Sequence, residues 1–121
     1  MESFFVVVAG GRDFNDYKLL ESKLDFFLST KSKTHNIVIV SGTCKGADLL
    51  GERYALRRGY QVLRFPPDWQ TYYRSAAVKR NEEMAKAANA VVVFWDNYSH
   101  GTKNMIDNAK KYNLPLKIVY Y

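Results

Sequence analysis

The stretch FFVVVAGGRDF, Phe4 to Phe14, contains the pattern that decides the fold. Its first six residues, Phe4 to Ala9, are apolar and rich in β-branched side chains, which is typical of a strand buried on both faces. Gly10 and Gly11 end this strand, and Asp16 to Thr30 then has apolar residues at helical spacing. A buried strand, a glycine turn and an amphipathic helix indicate a strand–helix–strand unit with a parallel sheet.

The rest of the chain repeats this alternation. Further strands are predicted at Ile37–Val40, Gln61–Phe65, Ala90–Trp95 and Leu116–Tyr120, and further helices at Ala47–Arg58, Arg74–Ala88 and Thr102–Asn113. We therefore predict an α/β fold of one domain over residues 1–121. It is a Rossmann-like three-layer sandwich of about five parallel strands in the order 3-2-1-4-5. That order predicts a ligand crevice at the carboxyl ends of strands one and four.

Composition excludes several classes of protein. With 47% hydrophobic and 25% charged residues, the chain is a globular domain rather than a disordered tail, a collagen or a coiled coil. No apolar run is long enough to span a membrane, and Met1-Glu2-Ser3 is not a signal peptide. The single cysteine, Cys44, excludes an intramolecular disulfide, and no spacing of residues predicts a metal site. We expect a cytoplasmic protein whose net charge of +6 suits a nucleic acid or a small phosphorylated ligand.

Glycine turns follow three of the predicted strands on one rim of the sheet. They lie at Gly10-Gly11-Arg12, at Ser41 to Asp48, and at Asp96 to Thr102. Exposed backbone N–H groups and the positive end of a following helix favour phosphate. The turns at Gly42–Gly46 and Gly101-Thr102 are therefore candidates to hold one phosphate each. Tight turns between strands and helices also require glycine for purely structural reasons, so that interpretation stays open.

Arg80 and Asn81 lie on the apolar stripe of the helix predicted at Arg74–Ala88. A buried-facing arginine needs a partner, because an unpaired charge inside a protein is unfavourable. Three hypotheses follow: a ligand phosphate or carboxylate, an ion pair with Asp48 or Asp68, or a partly solvated end of the helix.

Carboxylates and aromatic residues near the rim carry further alternatives. Asp48 and Glu52 lie one turn apart on one helix, where they either cap and solvate the helix, bind a ribose hydroxyl, or hydrolyse a glycosidic bond. Trp69, with Tyr72 and Tyr73, either stacks on a nucleobase or packs as a lid on the sheet edge.

Five segments in chain order carry a resemblance to a known family. They are GGRDF (10–14), SGTCKGAD (41–48), FPPDW (65–69), RNEEM (80–84) and GTKNM (101–105). Together they resemble the YspA-related branch of the SLOG superfamily, which also includes DprA-like and LOG-like proteins. The resemblance implies a Rossmann-like domain that binds a nucleotide or a nucleotide-derived signal of the ADP-ribose, NAD or cyclic-nucleotide type. Such a domain acts as a sensor or sequestering binder, with phage–host conflict as one setting, requires no cofactor, and forms a homodimer.

The residues and the resemblance together predict a ligand site. Its members are Gly10, Gly11, Arg12, Ser41, Gly42, Thr43, Lys45, Gly46, Asp48, Asp68, Trp69, Arg80, Asn81, His100, Gly101 and Thr102.

Two other functions stay open. One is hydrolysis or ribosyl transfer at the N-glycosidic bond of nucleoside phosphates, as the LOG-like resemblance implies, with Asp48, Glu52 and Glu82 as candidate catalytic residues. Met105 stands where the LOG pattern has its catalytic glutamate, with Asp107 two residues further on, so whether the chain is an enzyme is left undecided. The other is single-stranded nucleic-acid binding, which the DprA-like resemblance implies.

Overall fold

Five strands form one parallel sheet in the computed structural model, which describes all 121 residues. They are β1 (Ser3–Gly10), β2 (Asn36–Ser41), β3 (Gln61–Arg64), β4 (Ala90–Trp95) and β5 (Leu116–Tyr120). Their order across the sheet is β3-β2-β1-β4-β5, and every neighbouring pair is parallel. The predicted Rossmann-like order is therefore confirmed.

Helices connect the strands and cover both faces of the sheet. They are α1 (Tyr17–Phe27), α2 (Lys31–Thr34), α3 (Ala47–Arg58), α4 (Trp69–Tyr72), α5 (Ala76–Ala87) and α6 (His100–Lys111), with a 3-10 turn at Tyr73–Ser75. The sequence predicted α1, α3, α5 and α6 but neither α2 nor α4. Those two helices have four residues each, which is too short for a helical period to be visible.

Local capping explains where the helices differ from the prediction. The Asp16 side chain accepts the Leu19 N–H at 3.1 Å, so α1 begins one residue later than predicted. Tyr73 has φ of 49°, which the interior of an α-helix does not accommodate, and it separates α4 from α5. Ser99 caps α6 by accepting the Thr102 N–H at 3.3 Å, so α6 begins at His100 and Gly101 lies inside its first turn.

The sheet separates two apolar cores. Alternate residues of β1 point to opposite faces: Val6 and Val8 pack toward α1 and α3, whereas Val7 and Ala9 pack toward α5 and α6. The first core adds Leu20, Leu24 and Tyr54, and the second adds Met84, Met105 and Ile106. Burial of each large apolar side chain stabilises the folded state by roughly 1.5–3 kcal/mol. The central strands therefore hold the loops at the carboxyl rim of the sheet in place.

The central strands end at the rim where the crevice was predicted. Gly10 of β1 pairs with Phe94 of β4, and the Gly11 N–H continues the ladder by donating to the Phe94 carbonyl at 3.2 Å. The chain then leaves the sheet into the loop before α1, and β2 ends beside it at Ser41. No helix in the structure has the length and apolarity that crossing a membrane requires.

Alanine substitutions at Gly46 and Gly59 test how closely the loops after β1 and β2 meet. Both have positive φ, of 87° and 72°, but an added Cβ at Gly46 would lie 2.2 Å from the Gly11 carbonyl oxygen, whereas at Gly59 it meets nothing within 4 Å. We expect Gly59→Ala to lower the free energy of unfolding by about 1–2 kcal/mol through backbone strain alone. Gly46→Ala should lower it by about 1–3 kcal/mol more, because its ψ of −133° lies outside the αL region and the backbones must also separate. Urea denaturation measures both values, and equal losses would contradict the close approach.

Candidate functional site

Two cavities lie side by side at the carboxyl rim of the sheet. The first, of about 410 Å³, lies between the loop after β1, the start of α6 and the face of α5. The second, of about 550 Å³, lies between the loop after β2 and the Pro66–Pro67–Trp69 segment. Arg12 and Cys44 line both cavities, so the two adjoin at these residues and together make up the crevice.

The structure brings most of the predicted ligand residues to this crevice. The first cavity is lined by eight of them: Gly10, Gly11, Arg12, Asp48, Arg80, Asn81, Gly101 and Thr102. The second is lined by Arg12 again and by Thr43, Lys45 and Trp69. Neither cavity is lined by Ser41, Gly42, Gly46, Asp68 or His100, which belong to the surrounding loops and caps.

Arg80 is 7% exposed and lies at the wall of the first cavity. Its Nη1 donates to the Gly42 carbonyl at the end of β2 and, at 3.5 Å, to the Phe65 carbonyl after β3. Nε donates to Asn81 Oδ1 at 2.9 Å, and Nη2 approaches the Cys44 Sγ at 4.0 Å. Of the three hypotheses for Arg80, the ion pair with Asp48 or Asp68 is wrong, because backbone carbonyls accept from its guanidinium instead. The guanidinium thus ties two strand ends together.

Asn81 extends this tie to α6. Its Nδ2 donates to the Gly101 carbonyl at 3.3 Å and to Asn104 Oδ1 at 2.9 Å, while its Oδ1 accepts from Arg80. The two adjacent residues of α5 therefore fix the loop after β2, the loop after β3 and the first turn of α6 relative to each other.

The loop after β1 is held from the other side by Tyr121. The Tyr121 hydroxyl donates to Asp13 Oδ1 at 2.6 Å, and its ring packs on Phe14 with centroids 4.9 Å apart. Burial, followed by the bond to Asp13, raises the pKa of Tyr121 above its usual value, so the phenol stays protonated. Arg12 directly precedes Asp13 in this loop, yet it is exposed and forms no ion pair of its own.

Asp48 is the buried carboxylate of the crevice, with 5% of its surface exposed. Its Oδ2 accepts the Cys44 N–H at 3.2 Å. Burial raises the pKa of Asp48 to about 6, although the Cys44 N–H, Arg80 and Arg12 each favour the charged form. A cavity-lining carboxyl that titrates near neutral pH is suited to exchange protons or to accept hydrogen bonds from hydroxyl groups.

The other two candidate catalytic carboxylates lie outside the cavities. Glu52 accepts the Ser41 hydroxyl at 2.7 Å and pairs with Arg64 at 2.9 Å, so it supports the end of β2. Glu82 pairs with Lys111 at 2.7 Å and accepts the Tyr112 hydroxyl at 3.0 Å on the outer side of α5 and α6. The Lys111 bond, and then the Tyr112 bond, hold the pKa of Glu82 below its usual value.

Charge is divided unevenly between the two cavities. The first is lined by the carboxylates of Asp13, Asp48 and Asp96 and by the guanidinium groups of Arg12 and Arg80. The second is lined by Arg12 and Lys45 and has no carboxylate in its wall. Since a phosphate is repelled by carboxylates and attracted by cations, the side that Arg12 and Lys45 share is the more favourable for an anion.

Asp13 and Asp96, which line the first cavity, and Tyr121, which supports the loop after β1, were not among the predicted site residues. Asp96 directly follows β4, and Asp13 lies three residues after the end of β1, so the rule that such loops face the crevice could have found them. Tyr121 is brought to the Gly11 loop by the pairing of β5 with β4, and no local sequence signal indicates this contact.

Sequence comparison matches this chain to a family. The family YAcAr, described as the YspA, cpYpsA-related SLOG family, matches residues 4–72, more than half of the chain. The Gene 61 protein of Mycobacterium phage D29 is 30% identical over 88 residues, which cover 68% of this chain and 70% of that protein.

Solved structures share the fold at lower identity. DNA processing protein A (DprA) from Streptococcus pneumoniae superposes with a TM-score of 0.74 at 18% identity, and this chain spans 50% of that one. DprA from Helicobacter pylori, whose structure concerns single-stranded DNA binding, superposes with a TM-score of 0.67 at 19% identity. There this chain spans 64% of the other, and at such identities the likeness concerns the fold alone.

Asp48 should make stability depend on pH in a direction opposite to that of most carboxylates. Because burial raises its pKa from 3.8 to about 6, the folded protein binds a proton that the unfolded chain lacks between these values, so stability falls as pH rises. Asp48→Asn lacks this dependence, and its free energy of unfolding relative to wild type should rise by roughly 2 kcal/mol from about pH 4 to about pH 7. Urea denaturation across this range measures the difference.

Glu82→Gln is the control for that experiment. The pKa of Glu82 lies below its usual value, so the Glu82→Gln variant should lose stability relative to wild type as the pH rises through the acid range. An Asp48→Asn difference that stays constant with pH would show that Asp48 is not a perturbed carboxyl.

Proposed function

This chain belongs to the YspA-related SLOG family, and we propose that it binds one nucleotide-derived ligand of the ADP-ribose or NAD type across both cavities. In this proposal the protein acts as a sensor or sequestering binder of such a ligand. The observation that carries it is Arg12, an exposed, unpaired arginine on the wall that the two cavities share.

Arg12 and Lys45 are the groups to which we assign the ligand's phosphates. Both side chains are exposed, neither enters any of the six ion pairs, and both line the second cavity. Charge-assisted hydrogen bonds from such cations to phosphate oxygens are stronger than those between neutral groups. Lys45 also precedes Gly46, the N-cap of α3, which has no side chain to cap the helix, so the positive helix end adds to the attraction.

The first cavity suits the ligand's ribose rather than a second phosphate. Asp48 and Asp96 offer carboxylate oxygens, which accept hydrogen bonds from sugar hydroxyls but repel a phosphate. Asp96 already accepts the Tyr98 and Ser99 N–H groups at 2.8 Å next to the start of α6. The phosphate predicted at Gly101-Thr102 would meet this negative charge, so we assign a hydroxyl-bearing group to that end of the crevice.

Binding can be measured by thermal shift and by calorimetry with ADP-ribose, NAD, AMP and inorganic phosphate. A ligand present at a hundredfold excess over its Kd stabilises the folded protein by about 2.7 kcal/mol. We expect the compounds with both a ribose and a phosphate to bind more tightly than phosphate alone. Arg12→Gln should weaken their binding by about tenfold to a hundredfold, because it removes charged hydrogen bonds to phosphate.

Arg57→Gln provides the matched control for Arg12→Gln. Arg57 lies in the last turn of α3, at the end of that helix away from the crevice, and removing its charge alters the protein's net charge equally. It should leave ligand binding within about twofold of wild type. Absence of binding by every compound at millimolar concentration, or equal effects of the two substitutions, would contradict the proposal.

Asp48 supports a second candidate function, hydrolysis of an N-glycosidic bond. Of the three candidate catalytic carboxylates, Asp48 alone lines a cavity. Its pKa of about 6 suits a group that gains and loses a proton. In this reaction water adds to the ribose C1′ as the bond from C1′ to the base breaks. Asp48 would take the proton from the attacking water and pass it to the ring nitrogen of a departing purine; nicotinamide leaves as a neutral base, and Asp48 then returns the proton to solvent.

Release of free base from AMP or NAD, followed by chromatography, tests this second function. Asp48→Asn should reduce the rate by at least a hundredfold, since general acid–base catalysis contributes about a hundredfold to ten-thousandfold. Glu82→Gln, which changes a carboxylate outside the cavities, should retain the wild-type rate. Base release that survives Asp48→Asn would exclude this role, and absence of base release with retained binding would leave the binder function alone.

A further inference from the structure

The second cavity carries features that phosphate binding does not use. Besides Arg12 and Lys45 it is lined by Pro66, Pro67 and Trp69, whose rings offer flat apolar surface. Trp69 is 51% exposed, and its indole N–H donates to no acceptor in the protein. The other tryptophan, Trp95, is half-buried and donates to the Ser99 carbonyl at 3.1 Å.

Hydrogen bonds and two prolines fix the turn that carries Trp69. The Phe65 N–H donates to the Ser41 carbonyl at 2.8 Å, and two prolines then fix the backbone. Asp68 caps α4, because its side chain accepts the Thr71 N–H at 3.1 Å and its carbonyl accepts the Tyr72 N–H at 3.0 Å. No residue of α4 is buried in the sheet, so the predicted packing of Trp69, Tyr72 and Tyr73 as a lid on the sheet edge is wrong. The turn presents the indole to the cavity and not to the core.

We infer that the second cavity is a subsite for a nucleobase, which stacks on Trp69 while the adjoining phosphates bind Arg12 and Lys45. This inference rests on the proposed function and deepens it, because it assigns the ligand a ribose at one end and a nucleoside at the other, joined by phosphates. The first cavity takes a ribose, the shared wall takes the phosphates, and the second cavity takes the base of a nucleoside. The chemical class is a dinucleotide or a nucleoside diphosphate sugar rather than a simple sugar phosphate.

Size and charge together favour this occupant. The second cavity, of about 550 Å³, exceeds what a phosphate group fills. A nucleobase has an apolar π-face for the indole and for the proline rings, and its nucleoside is attached to a phosphate that the two cations attract. An uncharged aromatic compound would use the ring but leave Arg12 and Lys45 unpaired.

Calorimetry with ADP-ribose and ribose 5-phosphate tests the subsite, because only ADP-ribose has a base. Wild-type protein should bind ADP-ribose at least tenfold more tightly than ribose 5-phosphate. Trp69→Ala should weaken ADP-ribose by about tenfold to a hundredfold, which is the usual effect of removing a stacking ring, and leave ribose 5-phosphate unchanged. Trp69→Phe keeps an aromatic face and should fall between wild type and Trp69→Ala. Tyr98→Ala, which removes an 83% exposed ring that lines neither cavity, should bind both compounds like wild type.

The outcomes separate the two proposals. If Trp69→Ala leaves ADP-ribose binding unchanged while Arg12→Gln weakens it, the base subsite is wrong and the proposed function stands. If wild-type protein binds neither compound at millimolar concentration, both are wrong. A ten-nucleotide single strand of deoxyadenosine has the same base and phosphate chemistry, and tighter binding of this oligonucleotide than of ADP-ribose would overturn the assignment to a small ligand.

Discussion

One buried guanidinium, that of Arg80, fixes the geometry on which the crevice depends. It donates to the carbonyl of Gly42 after β2 and to that of Phe65 after β3, and its neighbour Asn81 binds the first turn of α6. The loop after β2, the loop after β3 and the first turn of α6 are thereby held in fixed positions relative to each other. An arginine is suited to this role because its planar group donates in several directions at once and stays charged when it is buried.

The burial of Arg80 is tied to that of Asp48. A Cβ added to Gly42 would lie 2.8 Å from both Arg80 Nη1 and Asp48 Oδ2, so the two groups close in on the same glycine without forming an ion pair. Arg80 satisfies backbone carbonyls, and Asp48 accepts a backbone N–H, which leaves its second oxygen for the cavity. The consequence is a crevice with hydroxyl-accepting carboxylates on one side and free cations, Arg12 and Lys45, on the other.

The strands, their order and the rim of the crevice could be predicted from the sequence, because uniformly apolar runs such as Phe4–Ala9 and Ala90–Trp95 admit few arrangements. The buried position of Arg80 also followed from its place on an apolar stripe. The hydrogen-bond partners of Arg80 could not be predicted, since a helical period reveals which face is buried but not which carbonyls lie opposite. The contact of Tyr121 with Asp13 joins residues 108 positions apart, and the exposed α4 lacks any periodic signal.

The most direct test of a single ligand spanning both cavities is the mapping of backbone and indole N–H chemical shifts on titration with ADP-ribose. Our account predicts that the N–H signals of Gly11, Arg12, Lys45 and the Trp69 indole move together with one apparent Kd. Gly59, at the opposite end of α3, should stay unchanged. Shifts that cluster away from the rim, or rim signals that follow separate binding curves, would contradict it.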